Sequence, residues 1–274
     1  MTKIEPAYST HLRHVAIEAV MSVQDQLLAA FRSPMQRGFK RDHRDIVTIH
    51  DKAAEKRIVE VLQKNEPNSV VIGEEHGLQG SGKLKWYVDP IDGTANFARG
   101  LASWCVSVGA VYEDDIVAGA ILDPVGGNLF SADLSGAYLG ENAIISQAEG
   151  QEEDATLIST YPSARDIQQD GRARALDRFG QLVETFSSVR RNGSAALGIA
   201  HVAAGWSDAA AGFSVNAWDV TAAILILRQS GGSYQAFPEG SDAPHHLSAY
   251  TAVGAGGSYP TLKGIAEQIS SGRT

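Results

Sequence analysis

The stretch Trp86-Tyr87-Val88-Asp89-Pro90-Ile91-Asp92-Gly93-Thr94-Ala95-Asn96-Phe97 sets two carboxylates three positions apart, directly after an apolar run. Trp86, Tyr87 and Val88 read as the end of a buried strand. Pro90 fixes its own φ and holds Asp89 extended, so the loop is stiff. Two like charges that close repel, and a fold keeps them where something cationic sits between. Oxygen ligands alone suit a hard divalent ion such as Mg²⁺. Gly93-Thr94 then offers backbone N–H groups at an expected helix N-terminus, a favourable place for a phosphate. A metal pocket beside an anion pocket is the layout of a metal-assisted phosphatase.

Composition narrows the setting. With 274 residues, 43% hydrophobic and 20% charged, the chain fits one large domain or two closely packed lobes. A formal net charge of -9 argues against a nucleic-acid polymer or an anionic membrane as partner. It does not forbid an anionic substrate, because a bound metal reverses the local field. The single cysteine, Cys105, excludes an intrachain disulfide and fits a reducing cytoplasm; its apolar surroundings make it a packing thiol rather than a nucleophile. The opening residues lack the apolar core of a secretion signal, and Ala222 to Leu227 is too short to span a bilayer.

Helical spacing runs from about Ser9 to Phe31, and Ser33-Pro34 closes that helix. The basic cluster Arg37, Lys40, Arg41 and Arg44, interrupted by Asp42 and Asp45, reads as a solvated loop from which Lys40 would approach a phosphate if the loop folds inward. A second helix runs to about Gln63, with Asp51 placed at its start as a capping carboxylate. Ser69 to Gly73 reads as a buried strand ending at Glu74-Glu75, followed by a Gly-rich connection through Gly77, Gly80 and Gly82. Cys105–Tyr112, Ile116–Leu122 and Asn128–Ala132 form an antiparallel meander, with a further strand and turn at Gly136–Gly140. The acidic stretch Gly150 to Asp154 is a seam between lobes. Beyond it, strands at 156–160, 188–192 and 207–211 alternate with helices at 172–185, 195–204 and 217–230, the pattern of an α/β lobe. The division is therefore an N-terminal α+β lobe over 1–150 and a C-terminal α/β lobe over 151–274.

Acids end apolar runs in four places: Asp51, Glu74, the Asp89/Asp92 pair, and Asp219 within Ala217-Trp218-Asp219-Val220. Any one alone reads as a cap or a surface acid; together with the central loop they point to a shared cleft. Ser194 reads as a helix N-cap whose loop lines the alcohol side of a substrate. The eight histidines, His245-His246 included, lack metal-ligand spacing.

Gly73-Glu74-Glu75, Asp89-Pro90-Ile91-Asp92-Gly93-Thr94-Ala95-Asn96-Phe97 and Trp218-Asp219-Val220 resemble the inositol monophosphatase family, within the wider group of lithium-sensitive, magnesium-dependent phosphatases. The resemblance extends from about Lys40 to Gly232. It implies a layered α-β-α-β-α fold, commonly homodimeric. It implies that Glu74, Asp89 and the Ile91 carbonyl hold one Mg²⁺, that Asp89, Asp92 and Asp219 hold a second, and that a third, weaker ion lies near Glu74. Asp51 would orient Thr94, and Thr94 with Glu74 would position the attacking water. The amides of Gly93 and Thr94 would bind phosphate, while Asp92, Asp219, Ser194 and Phe213 would border the substrate.

Inositol-preferring members carry a glutamate several residues before the Trp-Asp pair. Here the matching run, Asp208-Ala209-Ala210-Ala211-Gly212-Phe213, has none, and Phe213 or Asn216 would shape the pocket instead. The expected substrate is a small phosphate monoester of the inositol-1-phosphate type, a sugar or polyol phosphate. Histidinol phosphate, fructose bisphosphate, a nucleotide 3′-phosphate and NADP are the alternatives drawn from related enzymes. A different class of reading is an idle interaction module that keeps the metal site for stability.

Overall fold

Helical spacing of Leu12, Val15, Ala16, Ala19 and Val20 builds α1 (Pro6–Met21) in the computed structural model, which describes residues 4–39 and 46–273. The chain continues through α2 (Gln24–Ala30), β1 (Arg37–Phe39), β2 (Ile46–Thr48), α3 (Ile49–Asn65), β3 (Ser69–Gly73), β4 (Gly77–Gly80), β5 (Leu84–Asp92) and α4 (Thr94–Arg99). The meander follows as β6 (Cys105–Tyr112), β7 (Asp115–Asp123), β8 (Asn128–Asp133), β9 (Gly136–Leu139) and β10 (Asn142–Ala143). Then come β11 (Thr156–Ser159), α5 (Ala164–Asp170), α6 (Arg172–Thr185), β12 (Ser188–Arg190), α7 (Ala195–Ala203), β13 (Ala209–Phe213) and α8 (Ala217–Gln229). The last elements are β14 (Ser233–Phe237), a short 3₁₀ turn (Pro244–His246), β15 (Ala249–Val253) and α9 (Pro260–Ser271).

An eight-stranded sheet in the order β10-β9-β8-β7-β6-β5-β3-β4 is antiparallel except where β3 lies parallel to β5. A five-stranded sheet, β12-β11-β13-β15-β14, pairs β11 parallel with both neighbours and β15 antiparallel with both of its own. Three apolar cores separate the layers. The first joins α1 and α3 to the large sheet, the second packs α7 and α8 between the two sheets, and the third holds α6 and α9 against the outer face of the small sheet. The order of layers is α-β-α-β-α, as the resemblance implies.

The central helix α8 lies unusually close to the large sheet. Gly109 and Gly119 pair across β6 and β7, and a Cβ on either would stand 2.7 Å from Ala222 N or 2.8 Å from Ala222 Cα. Their bare backbones admit the helix that carries Asp219.

Several expectations are corrected. The helix read over Ser9–Phe31 is two helices, broken where Ser22 Oγ turns back to the Ala19 carbonyl at 2.7 Å. Thr48, not Asp51, caps α3, and Asp51 is its third residue. The Gly-rich connection is an edge strand, β4, antiparallel to β3. The strand ending at Val88 instead continues to Asp92. Lys40, Arg41, Asp42, Arg44 and Asp45 lie outside the described residues. No helix among the described residues is long and apolar enough to cross a membrane.

Candidate active site

In a regular strand, side chains three positions apart face opposite sides. Asp89 pairs with Ser107 and Asp92 with Cys105, so three steps along β5 oppose two along β6. The extra residue in this bulge turns both carboxylates toward one cleft. Pro90 lies within the irregularity, where its missing N–H costs no ladder bond. Asp89 Oδ1 accepts from Ile91 N at 2.9 Å.

Asp51 and Asp219 reach the cleft by one local device. Each is the third residue of a helix, with Oδ2 accepting a backbone N–H from the N-cap: Thr48 N to Asp51 and Asn216 N to Asp219, both 2.7 Å. Thr48 Oγ1 adds a second bond to Asp51 Oδ2 at 2.7 Å. Asp51 Oδ1 then accepts from Thr94 Oγ1 at 3.0 Å, and the Ile91 carbonyl stands at the same 3.0 Å from that hydroxyl. Gly93, the α4 N-cap with φ of 97°, makes the left-handed turn that brings Thr94 there.

Glu74 follows β3, its N–H donating to Val88 O at 3.2 Å. Its turn is fixed by a residue the sequence reading passed over. Glu55, buried on α3, accepts from Glu75 N and His76 N at 2.8 Å each and meets His76 Nδ1 at 2.7 Å. The available signal was position: a carboxylate four residues past Asp51, on the helix face that also buries Ala54 and Ile58.

Asp92 reaches across to the start of α7, and Asn96 to the loop that precedes it. Asp92 Oδ2 accepts from Ser194 Oγ and Ala196 N, both at 2.7 Å, and Asn96 Nδ2 donates to Asn192 O at 2.7 Å and Ser103 O at 2.6 Å. Ser194 also caps α7 through Leu197 N, as the sequence suggests. Cys105 is a fully buried packing thiol, with Sγ 3.5 Å from Ser194 Oγ.

Electrostatics ties the acids together. Burial pushes the Asp51 carboxyl up to about 6, against the pull of its bonds from Thr48 and Thr94. Burial raises Asp89 well above the usual carboxylate range, and the charges of Glu74, Asp92 and Asp219 add to it. Asp92 rises to about 6 through burial, opposed by Ser194 and Ala196, and Asp219 rises to about 8 through burial and the Asp92 charge. Glu74, Asp89, Asp92 and Asp219 therefore share one field, Asp89 and Asp92 buried and Glu74 and Asp219 half-buried, and Asp51 is tied to the same loop through Thr94.

Mutually repelling, oxygen-only donors of this kind fit a hard divalent cation. Among the described residues no three acidic, histidine or cysteine side chains are gathered closely enough to hold a metal ion as they stand. Asp89, Asp92 and Asp219 each have one oxygen turned to a donor of their own backbone or of α7.

A cavity of about 680 Å³ opens from Asp92 and Ser194 and is bounded further by Arg165, Asp166, Phe213 and Tyr250. Phe213 stands edge-on to Tyr161, ring centres 5.2 Å apart. His245 and His246 are far from metal duty: both rings pack against Tyr87, at 5.2 and 5.8 Å.

The family model described as "Inositol monophosphatase family" matches residues 9–271. The chain is 37% identical over 207 residues to "Nus factor SuhB" of Xylella fastidiosa, covering 75% of this chain and 74% of that protein. It is 35% identical over 199 residues to "Fructose-1,6-bisphosphatase/inositol-1-monophosphatase" of Aquifex aeolicus, covering 71% of this chain and 74% of that protein. The solved structure of the extragenic suppressor protein suhB from Bartonella henselae superposes with a TM-score of 0.83 at 26% identity, over 96% of this chain and 98% of that one.

Proposed function

The chain belongs to the inositol monophosphatase family, and on that premise we propose that it hydrolyses a small phosphate monoester, a sugar or polyol phosphate of the inositol-1-phosphate type, in a Mg²⁺-dependent reaction. The observation that carries this reading is the mutually repelling set of Glu74, Asp89, Asp92 and Asp219 beside a cavity, with Asp51 linked to the same loop through Thr94.

On this reading Glu74, Asp89 and the Ile91 carbonyl hold one Mg²⁺, and Asp89, Asp92 and Asp219 a second, with a third near Glu74. When bound, the ions lower the pKa of the attacking water and offset charge on the leaving oxygen. The chain's own groups do the positioning. The Thr94 proton is committed to Asp51 or to the Ile91 carbonyl, both at 3.0 Å, which leaves the oxygen lone pairs to accept from the attacking water. Asp51, ionised above about pH 6, keeps that proton oriented. Glu74, on the turn that Glu55 holds, is the second group to position the water. Gly93 and Thr94 amides head α4 and take phosphate oxygens, and Ser194 and Phe213 border the alcohol.

The strand β13 presents Ala209-Ala210-Ala211-Gly212-Phe213 where inositol-preferring members have a carboxylate nearby. Histidinol phosphate, fructose bisphosphate, nucleotide 3′-phosphate and NADP therefore belong in the test. We further propose a cytoplasmic homodimer, with lobes over 1–150 and 151–274, whose partner is a small phosphorylated metabolite rather than a nucleic acid or a membrane. The competing reading is an interaction module without turnover, favoured by the name of the Xylella relative, "Nus factor SuhB". Phosphate release from a panel of these monoesters, with Mg²⁺ and with chelator, separates the two. Release that needs Mg²⁺ and is inhibited by Li⁺ supports the phosphatase; silence across the panel supports the module.

A further inference from the structure

The substrate cavity has two walls formed far apart in the chain. One is the start of α5, with Ser163, Arg165 and Asp166; the other is the end of β13 and the loop after it, with Phe213, Ser214 and Val215. The second wall leads directly to Asn216, the cap of α8, and so to Asp219. A single guanidinium joins them. Arg273, just past α9, donates from Nη2 to Asp166 Oδ1 at 2.7 Å and to Asp170 Oδ2 at 3.0 Å, and from Nε to Asp170 Oδ1 at 2.7 Å. From Nη1 it donates to the Phe213 carbonyl at 2.6 Å and to Ser214 Oγ at 3.5 Å. Among the described residues it is the one side chain hydrogen-bonded to both walls.

We propose that Arg273 is a positioning residue that sets the width of the substrate cavity and thereby the fit of the alcohol part of the substrate. The inference rests on the phosphatase reading of that cavity. The planar fork is what the geometry requires: three edges of one rigid cation face two carboxylates and a backbone carbonyl. Asp170 has other partners, Tyr161 Oη at 2.8 Å and Arg178 Nη1 at 3.3 Å, so α5 stays anchored without Arg273. The Phe213 carbonyl would lose its bond to the opposite wall, and the wall that leads to α8 would be free to shift. A misplacement of about 1 Å in a substrate-positioning wall costs on the order of 100-fold in rate at limiting substrate. Gly93 and Thr94, whose amides are proposed to take the phosphate, do not line this cavity, so the phosphate end should not feel the bridge.

The test is steady-state kinetics of Arg273→Lys and Arg273→Met with a monoester that the unaltered chain hydrolyses, together with the inhibition constant of inorganic phosphate. Lysine keeps the charge against Asp166 and Asp170 but cannot also reach the Phe213 carbonyl, so it preserves folding while removing the bridge. Both variants are expected to raise KM at least about tenfold, with kcat and phosphate inhibition within about threefold of the unaltered chain. If Arg273→Met does not fold, Arg273→Lys decides alone. A lysine variant with unaltered KM overturns the proposal, and so does phosphate inhibition that weakens in step with KM. Absence of phosphate release by the unaltered chain overturns the phosphatase reading and this inference with it; unaltered KM in an active chain overturns only the inference.

Discussion

Ser194 Oγ donates to Asp92 Oδ2 at 2.7 Å, joining residues 102 positions apart. The same oxygen takes Ala196 N at 2.7 Å, so Asp92 sits at the head of α7 as its anionic partner. Asp92 thus fastens α7 with Oδ2, which leaves Oδ1 for the metal site proposed above.

Replacing Ser194 with alanine removes both this bond and the α7 cap. The expected loss is about 1–2 kcal/mol of stability, read by chemical denaturation. Activity should fall only modestly, because Ala196 N still orients Asp92.

Glu55→Gln tests the support of Glu74. A glutamine offers one acceptor oxygen where Glu75 N and His76 N now take two. One of these amides would face the glutamine NH₂, costing about 1–3 kcal/mol. Calorimetric titration should show weakened Mg²⁺ binding, since the turn that carries Glu74 loosens.

Gly109→Ala should drive α8 off the sheet. The added methyl meets Ala222 N at 2.7 Å and Thr221 Cγ2 at 2.7 Å, neither of which can yield without moving the helix. About 1–3 kcal/mol of overpacking cost is expected. Turnover should fall further than stability suggests, because Asp219 moves with α8.

His245 makes the fold sensitive to mild acid. Burial pushes its pKa down to about 4, and the nearby His246, Lys85 and Arg228 add to the effect. Its Nδ1 is buried without a hydrogen-bond partner among the described residues, and its ring packs on Tyr87. The unfolded chain protonates this group near pH 6.5, well before the folded chain does. The contribution of His245 to stability is therefore intact above about pH 6.5 and is lost as pH falls toward 4, by up to about 3 kcal/mol, while the raised carboxyls of Asp51, Asp92 and Asp219 act in the opposite direction. His245→Phe should flatten that slope, measured as melting temperature at pH 7 and pH 5.

Much of the site was legible because its chemistry is local. The Asp-Pro-Ile-Asp-Gly-Thr segment announces its carboxylates, though not the bulge that turns them, and Asp219 lies in the first turn of an expected helix. What was illegible is long-range. Glu55 looks like any amphipathic-helix acid until its partners, Glu75 N and His76 N, fold back to it. The break after Met21 depends on one serine hydroxyl turned to the backbone. Helix α5 is short, and its acids are neutralised by Arg273 from 107 and 103 residues away. Strands β14 and β15 pair by a register that periodicity alone does not reveal.

The most direct measurement is Mg²⁺-dependent phosphate release by Asp89→Asn, followed with its melting temperature. Asp89 suits this better than Asp92, whose substitution also loosens α7. The account predicts turnover reduced at least about 1,000-fold and a melting temperature equal to or above that of the unaltered chain, since a repelled buried carboxyl is removed. An Asp89→Asn variant that still releases phosphate at the original rate, or an unaltered chain equally active in chelator, would contradict it.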